Sequence, residues 1–314
     1  MNLKFEFSKM PFEILFDKPL APYTTLQIGG KADFLAFPEN EKDLFDLLEI
    51  SNIFNLPITV LGGGANTLIL DGGVRGLVIS LSKNFKGIEI LLENKNEVLL
   101  AVGAYEKIPS LVRFGIKNGF WGVERLMGIP GTVGGALMMN AGTATHFIDA
   151  LIESVHWIPF SERKLRTLSQ EEIEFSYRAA KLPSPGVVVS SILRLKRGSS
   201  GKLEELYNQN INSRKKTQPW GNSCAGSIFK NPHNYKAGKL IEECGLKNLR
   251  IGSAMVSEVH ANFLINCGGA KSSDMLALIN QIQVTVKKQK DIDLSLELRI
   301  IGEDKSTTRI SSRA

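Results

Sequence analysis

Between Gly128 and Gly142 the sequence GIPGTVGGALMMNAG sets five glycines, Gly128, Gly131, Gly134, Gly135 and Gly142, among Ala136 and Ala141, with Ala144 just beyond. Every glycine adds conformational entropy to the unfolded chain, so a run this dense is kept where backbone must come very close to something. Pro130 followed by small residues suits a helix start. Tight packing of a helix on a sheet would use such a segment, and so would backbone N–H groups and a helix dipole aimed at a pyrophosphate. The density of glycines favours the ligand.

A second cluster lies upstream in LPITVLGGGANTLILDGGVRGLVISL, residues 56–81. A Rossmann turn needs a helix directly after its glycines and an acidic residue about 20 positions on. Here the glycines lead into strand-like NTLIL, and Asp71 comes far too early. No Gly-Lys-Ser/Thr follows, so the segment is not a P-loop either. A glycine-rich hairpin and a phosphate-binding turn both remain open for Gly62–Asn66.

Around these clusters the chain reads as mixed α and β. PYTTLQIGGKADFLAFP, 22–38, is expected to form a strand, a tight turn and a second strand. Asn40 is a plausible N-cap for a helix over 40–52, with Asp43 three residues on and Leu44, Leu47 and Leu48 at helical spacing. Strand-like runs DALIESVHWI and GVVVSSILRL flank an irregular EEIEFSYRAAKLPSPG. KRGSSGK at 196–202 resembles a linker, and 203–217 a solvated helix. A C-terminal unit begins near Pro219: a short helix AGKLIEECGL, a turn KNLRIGSA, a strand HANFLIN, a long helix from about Ser272 to Lys290 and a last strand LSLELRIIG.

Composition narrows the classes. No apolar run approaches the roughly 18 residues of a membrane span, and charges and a proline break up the N-terminus before a signal-peptide core forms, so a cytoplasmic protein is expected. Three scattered cysteines without a CxxC pair, and four histidines without HExxH, suggest neither disulfides nor a metal site. The net charge of +6 suits an anionic small molecule as well as nucleic acid. The basic clusters lack interleaved aromatics and no DNA-binding motif is present, which argues against nucleic acid.

Single residues leave alternatives open. On the last strand Ser295, Glu297 and Arg299 share one face by the period-two rule, so Glu297 is either solvated or in a polar cleft. Arg178, in FSYRAAK, reads as a surface arginine or a catalytic one. Ser227, in AGSIFKNP, has no GxSxG elbow; it is a turn serine or, correctly placed, a proton donor to a carbanion or enolate. Lys230 and Asn231 suit phosphate and polar substrate groups.

In their order, TTLQIGGKADF, LGGGANTLILDGGVRGLVI, GIPGTVGGALMMNAG, FSYRAAKL, AGSIFKNP, AGKLIEECGL and HANFLIN resemble the UDP-N-acetylenolpyruvoylglucosamine reductase (MurB) family over about residues 19–303. The resemblance implies an α+β architecture. An FAD-binding fold of the PCMH, vanillyl-alcohol-oxidase type spans 19–200 in two subdomains, about 19–82 and 83–200. A linker helix and substrate domain over 201–303 follow, with a short extension at 1–18 and a polar tail at 304–314. FAD would be bound non-covalently and reduced by NADPH, with backbone N–H groups of Gly62, Gly63, Gly64, Ala65 and Asn66 and of Gly128, Ile129, Pro130 (which has no N–H), Gly131, Gly134 and Gly135 lining the pyrophosphate. The family's catalytic arginine, serine and glutamate fall on Arg178, Ser227 and Glu297, and Tyr177, Lys230 and Asn231 would touch the UDP-sugar. No metal and no obligate protein partner are implied. YRAAKL runs into the linker without the insertion of one subtype, so the shorter subtype is expected. GGGAN stands where GGGSN is common, and Ala180 where serine is usual. A flavin-dependent oxidase of the same superfamily and a non-catalytic binding protein are the alternatives; AGSIFKNP with LELRIIG argues against the first, and the intact Arg178, Ser227 and Glu297 against the second.

Overall fold

The computed structural model describes residues 3–142 and 146–304; Ala144 and the tail from residue 305 on lie outside the described residues. The chain divides into two compact units. One gathers the residues up to Leu15 with Leu35–Gly63 and Leu77–Asn212; the other gathers Phe16–Phe34, Gly64–Gly76 and the residues from Ser213 onward. The units interleave along the chain. The reason is a parallel pairing of Thr67–Ile69 with Arg299–Ile301, which draws the residues after the first glycine cluster into the C-terminal unit.

In the first unit a sheet runs in the order Arg166–Ser169, Ile152–Pro159, Gly186–Arg197, Glu97–Gly103, Ile88–Glu93, every pair antiparallel. The central strand buries Leu193 and Leu195 and exposes Arg194 between them, which pairs with Glu97 and Glu153 from the strands on either side. The helix Glu41–Ile53 forms for the reason its sequence gives: Asn40 accepts the Asp43 N–H at 3.0 Å, and Leu44, Leu47 and Leu48 are buried. Asp43 returns the favour by accepting the Glu39 N–H at 2.8 Å. Ile58–Val60 lies parallel to Leu77–Ile79 and does not pair with Thr67–Ile69, so Gly62–Asn66 is not the turn of a hairpin.

In the second unit Ser223–Cys224, Leu264–Asn266, Ala254–Val256 and Arg250–Ile251 form an antiparallel sheet, and the helices Ala237–Glu243 and Ser272–Lys290 supply Leu240, Ile241, Met275, Leu278 and Ile282 to its core. Two expected strands differ. Residues 22–28 form a 3-10 turn, Ala21–Tyr23, and then a loop, because Thr24 and Asn266 satisfy its carbonyls: Thr24 Oγ1 donates to Ala21 O and Ile28 O, and Asn266 Nδ2 to Leu26 O. Leu26 and Ile28 are still buried in the core. The last strand is confined to Arg299–Ile301, preceded by one isolated bridge between Leu296 and Phe229. No described helix is long and apolar enough to cross a membrane.

Candidate active site

The first glycine loop is shaped by close backbone approaches on both sides. In the first unit, a methyl group on Gly63 would stand 3.0 Å from Gly131 Cα, and one on Gly62 2.9 Å from Thr132 Oγ1. In the second, Gly64 has φ +61°, and a Cβ there would lie 2.2 Å from Tyr23 O, so only glycine fits. Its carbonyl accepts from Thr25 N–H at 3.1 Å. Among the described residues the N–H groups of Gly62, Gly63, Gly64, Ala65 and Asn66 donate to no protein acceptor. Amide N–H dipoles left without a protein acceptor are suited to an anion.

The second glycine segment contributes differently from expectation. Gly134 N–H donates to Ala104 O at 2.8 Å and Gly135 N–H to Thr132 Oγ1 at 3.4 Å, so these two amides, expected on a pyrophosphate, are used to seat the short helix Val133–Met138. Ile129 N–H is likewise spent, on Leu126 O. Gly131 instead meets the first loop directly. Lys107, which no motif in the sequence marks, has its Nζ 3.6 Å from the position a Gly63 Cβ would take, and packs over the Tyr105 ring at 4.5 Å. Partial burial, and then the neighbouring Lys86, hold its ammonium below the ordinary lysine value.

Arg178 sits in the first unit, in the two-residue turn of the hairpin Glu174–Ser176 and Ala179–Lys181. Its φ is +60°, uncommon for a side chain of this size. The guanidinium lies between two rings, 5.3 Å from the Tyr177 centroid and 5.9 Å from that of Phe147, which themselves meet edge to face. Asn140, buried, fixes the hairpin: its Nδ2 donates to Ser176 O at 3.2 Å and to Asp149 Oδ2 at 3.1 Å. Phe147 and Asn140 were not singled out by sequence, since each is far from Arg178 in the chain.

Ser227 and Glu297 are brought together in the second unit. Ile228 O accepts from Glu297 N–H at 2.8 Å and from Leu298 N–H at 3.2 Å, and Lys230 N–H donates to Ser295 O at 2.8 Å. The serine segment therefore runs antiparallel to the glutamate segment, with both Ser227 and Glu297 half-buried. Asn262, buried, holds the serine segment from the other side: Phe229 N–H donates to its Oδ1 at 3.0 Å and its Nδ2 to Phe229 O at 2.8 Å. Among the described residues Ser227 Oγ takes part in no hydrogen bond with the protein, so its proton is available to a ligand. Asn231 Oδ1 caps the helix Ala237–Glu243 by accepting the Ala237 N–H, which leaves its Nδ2 for other partners.

Residues 218–301 match the model of the UDP-N-acetylenolpyruvoylglucosamine reductase C-terminal domain, and residues 32–158 that of an FAD binding domain. The chain is 39% identical over 292 residues to the UDP-N-acetylenolpyruvoylglucosamine reductase of Bacillus velezensis, covering 92% of this chain and 94% of that one. It is 37% identical to the Bacillus subtilis protein of the same name, with the same coverage. The solved MurB structure from Thermus caldophilus superposes with a TM-score of 0.79 at 35% identity, over 93% of this chain and 100% of that chain.

Proposed function

Because the chain belongs to the UDP-N-acetylenolpyruvoylglucosamine reductase family, we propose that it reduces the enolpyruvyl ether of UDP-N-acetylglucosamine to the lactyl ether of UDP-N-acetylmuramate, with Arg178, Ser227 and Glu297 carrying the chemistry. The unspent amides of Gly62–Asn66 and the approach of Gly63 to Gly131, with Lys107 alongside, fit the pyrophosphate of FAD. FAD, when bound, supplies hydride from NADPH to the substrate's methylene carbon.

When hydride adds to that carbon, the electron pair of the C=C bond moves to the neighbouring carbon and its carboxylate. Arg178 meets the carboxylate with a planar fork whose orientation is set by Tyr177 and Phe147. The Ser227 hydroxyl delivers its proton to the carbon that received the pair, and Glu297 assists proton movement beside it. Lys230 and Asn231 Nδ2 serve the UDP-sugar. The observation that carries this assignment is the double hydrogen bond of Ile228 O, which supports a donor and a carboxylate acting on one substrate atom. Ser227→Ala tests it. Its flavin should bleach with NADPH as in the parent enzyme, while reoxidation by the enolpyruvyl substrate slows by about 10²–10⁴-fold; normal turnover would remove Ser227 from the mechanism.

A further inference from the structure

Asn66 closes the first glycine loop, and both of its polar groups beyond the N–H face the segment that carries Glu297. Its Nδ2 donates to Glu297 O at 3.0 Å, and its own carbonyl accepts from Arg299 N–H at 3.0 Å. Beyond Asn66 the same two chain segments continue as the parallel pair Thr67–Ile69 and Arg299–Ile301. Glu297 is thus held at both ends of its own backbone, by Ile228 O at its N–H and by Asn66 Nδ2 at its carbonyl. Hydrogen bonds thus run from Asn66 to the Glu297 backbone and on to the carbonyl of Ile228, the residue after Ser227.

Two features make the side-chain bond more than incidental. Glu297 precedes the strand Arg299–Ile301, and a side chain, the Asn66 amide, holds its carbonyl there. Asn66 also grips the same segment a second time, through its carbonyl and the Arg299 N–H, so the loop end and the glutamate segment are joined by two hydrogen bonds. A shift of about 1 Å at a reacting group is enough to slow chemistry about a hundredfold.

We propose that Asn66 is a positioning residue, whose side-chain amide sets Glu297 against the Ser227 segment and keeps it in register with the glycine loop. The proposal rests on the role given to Glu297 above. Asn66→Leu, near-isosteric without the donor, and Asn66→Ala test it in flavin-loaded enzyme. In the fraction that carries flavin, reoxidation by the enolpyruvyl substrate should slow about tenfold to a hundredfold more than reduction by NADPH does. Reoxidation at the parent rate in either variant would overturn the proposal. So would failure of both variants to fold or to take up flavin, which would make Asn66 a structural or cofactor residue instead. Glu297→Gln in the same assay separates the two claims: if it reoxidises normally, the role of Glu297 falls; if it is slow and the Asn66 variants are not, only the positioning role falls.

Discussion

Arg178 occupies a turn position with φ +60° that asparagine or glycine would adopt at less cost, and the role proposed for it rests on the guanidinium. Arg178→Lys keeps the charge and the backbone but not the fork. It should raise KM for the enolpyruvyl substrate and lower kcat, together about 10²-fold in kcat/KM, with the NADPH half-reaction intact; steady-state and stopped-flow rates would show it. Lys107 carries a second prediction. Burial and Lys86 lower its pKa, and a bound anion would favour its charged form again. Flavin affinity should therefore be fullest below the lowered value and decline as pH rises through it. Lys107→Met should remove that decline and weaken binding about tenfold, the loss of one charge-assisted contact, in a fluorescence titration of apoprotein.

At the scale of elements, the most exposed dependence is on Asn262. It brackets the Phe229 peptide with two side-chain hydrogen bonds in a buried place, and its carbonyl takes the Ile228 N–H. Asn262→Ala leaves the two Phe229 groups unpaired and should cost about 1–3 kcal/mol in urea unfolding; an unchanged midpoint would deny the clamp. This clamp explains what sequence could and could not show. The helices beginning at Glu41 and Ser272 were legible because cap and apolar spacing are local. The loop at 22–28 was not, since Leu26 and Ile28 alternate as a strand would while distant Asn266 satisfies the backbone. Ser227 and Glu297 could be named through the ordered motifs, but their meeting across Ile228, and the parts of Asn66, Asn140 and Asn262, depend on partners many residues away.

At the scale of the whole molecule, His260 ties stability to pH. Burial, its largest influence, lowers its pKa from the ordinary 6.5; a hydrogen bond to the backbone of His260 itself opposes this, Lys247 lowers the value further and Glu242 raises it. Below pH 6.5 the unfolded chain takes up a proton that the native ring declines, so stability should fall as pH drops from there toward the folded value, by at most about 1.4 kcal/mol per pH unit from this group. Thermal unfolding between neutral and mildly acid pH would show the slope, and His260→Gln should flatten it. As a whole, the chain takes electrons from NADPH and passes them to an enolpyruvyl UDP-sugar. The direct measurement is anaerobic: bleach the flavin absorbance of the purified holoenzyme with NADPH, then add UDP-N-acetylglucosamine enolpyruvate. Return of the oxidised bands without oxygen is the predicted result; a flavin that stays bleached until oxygen enters would contradict the account.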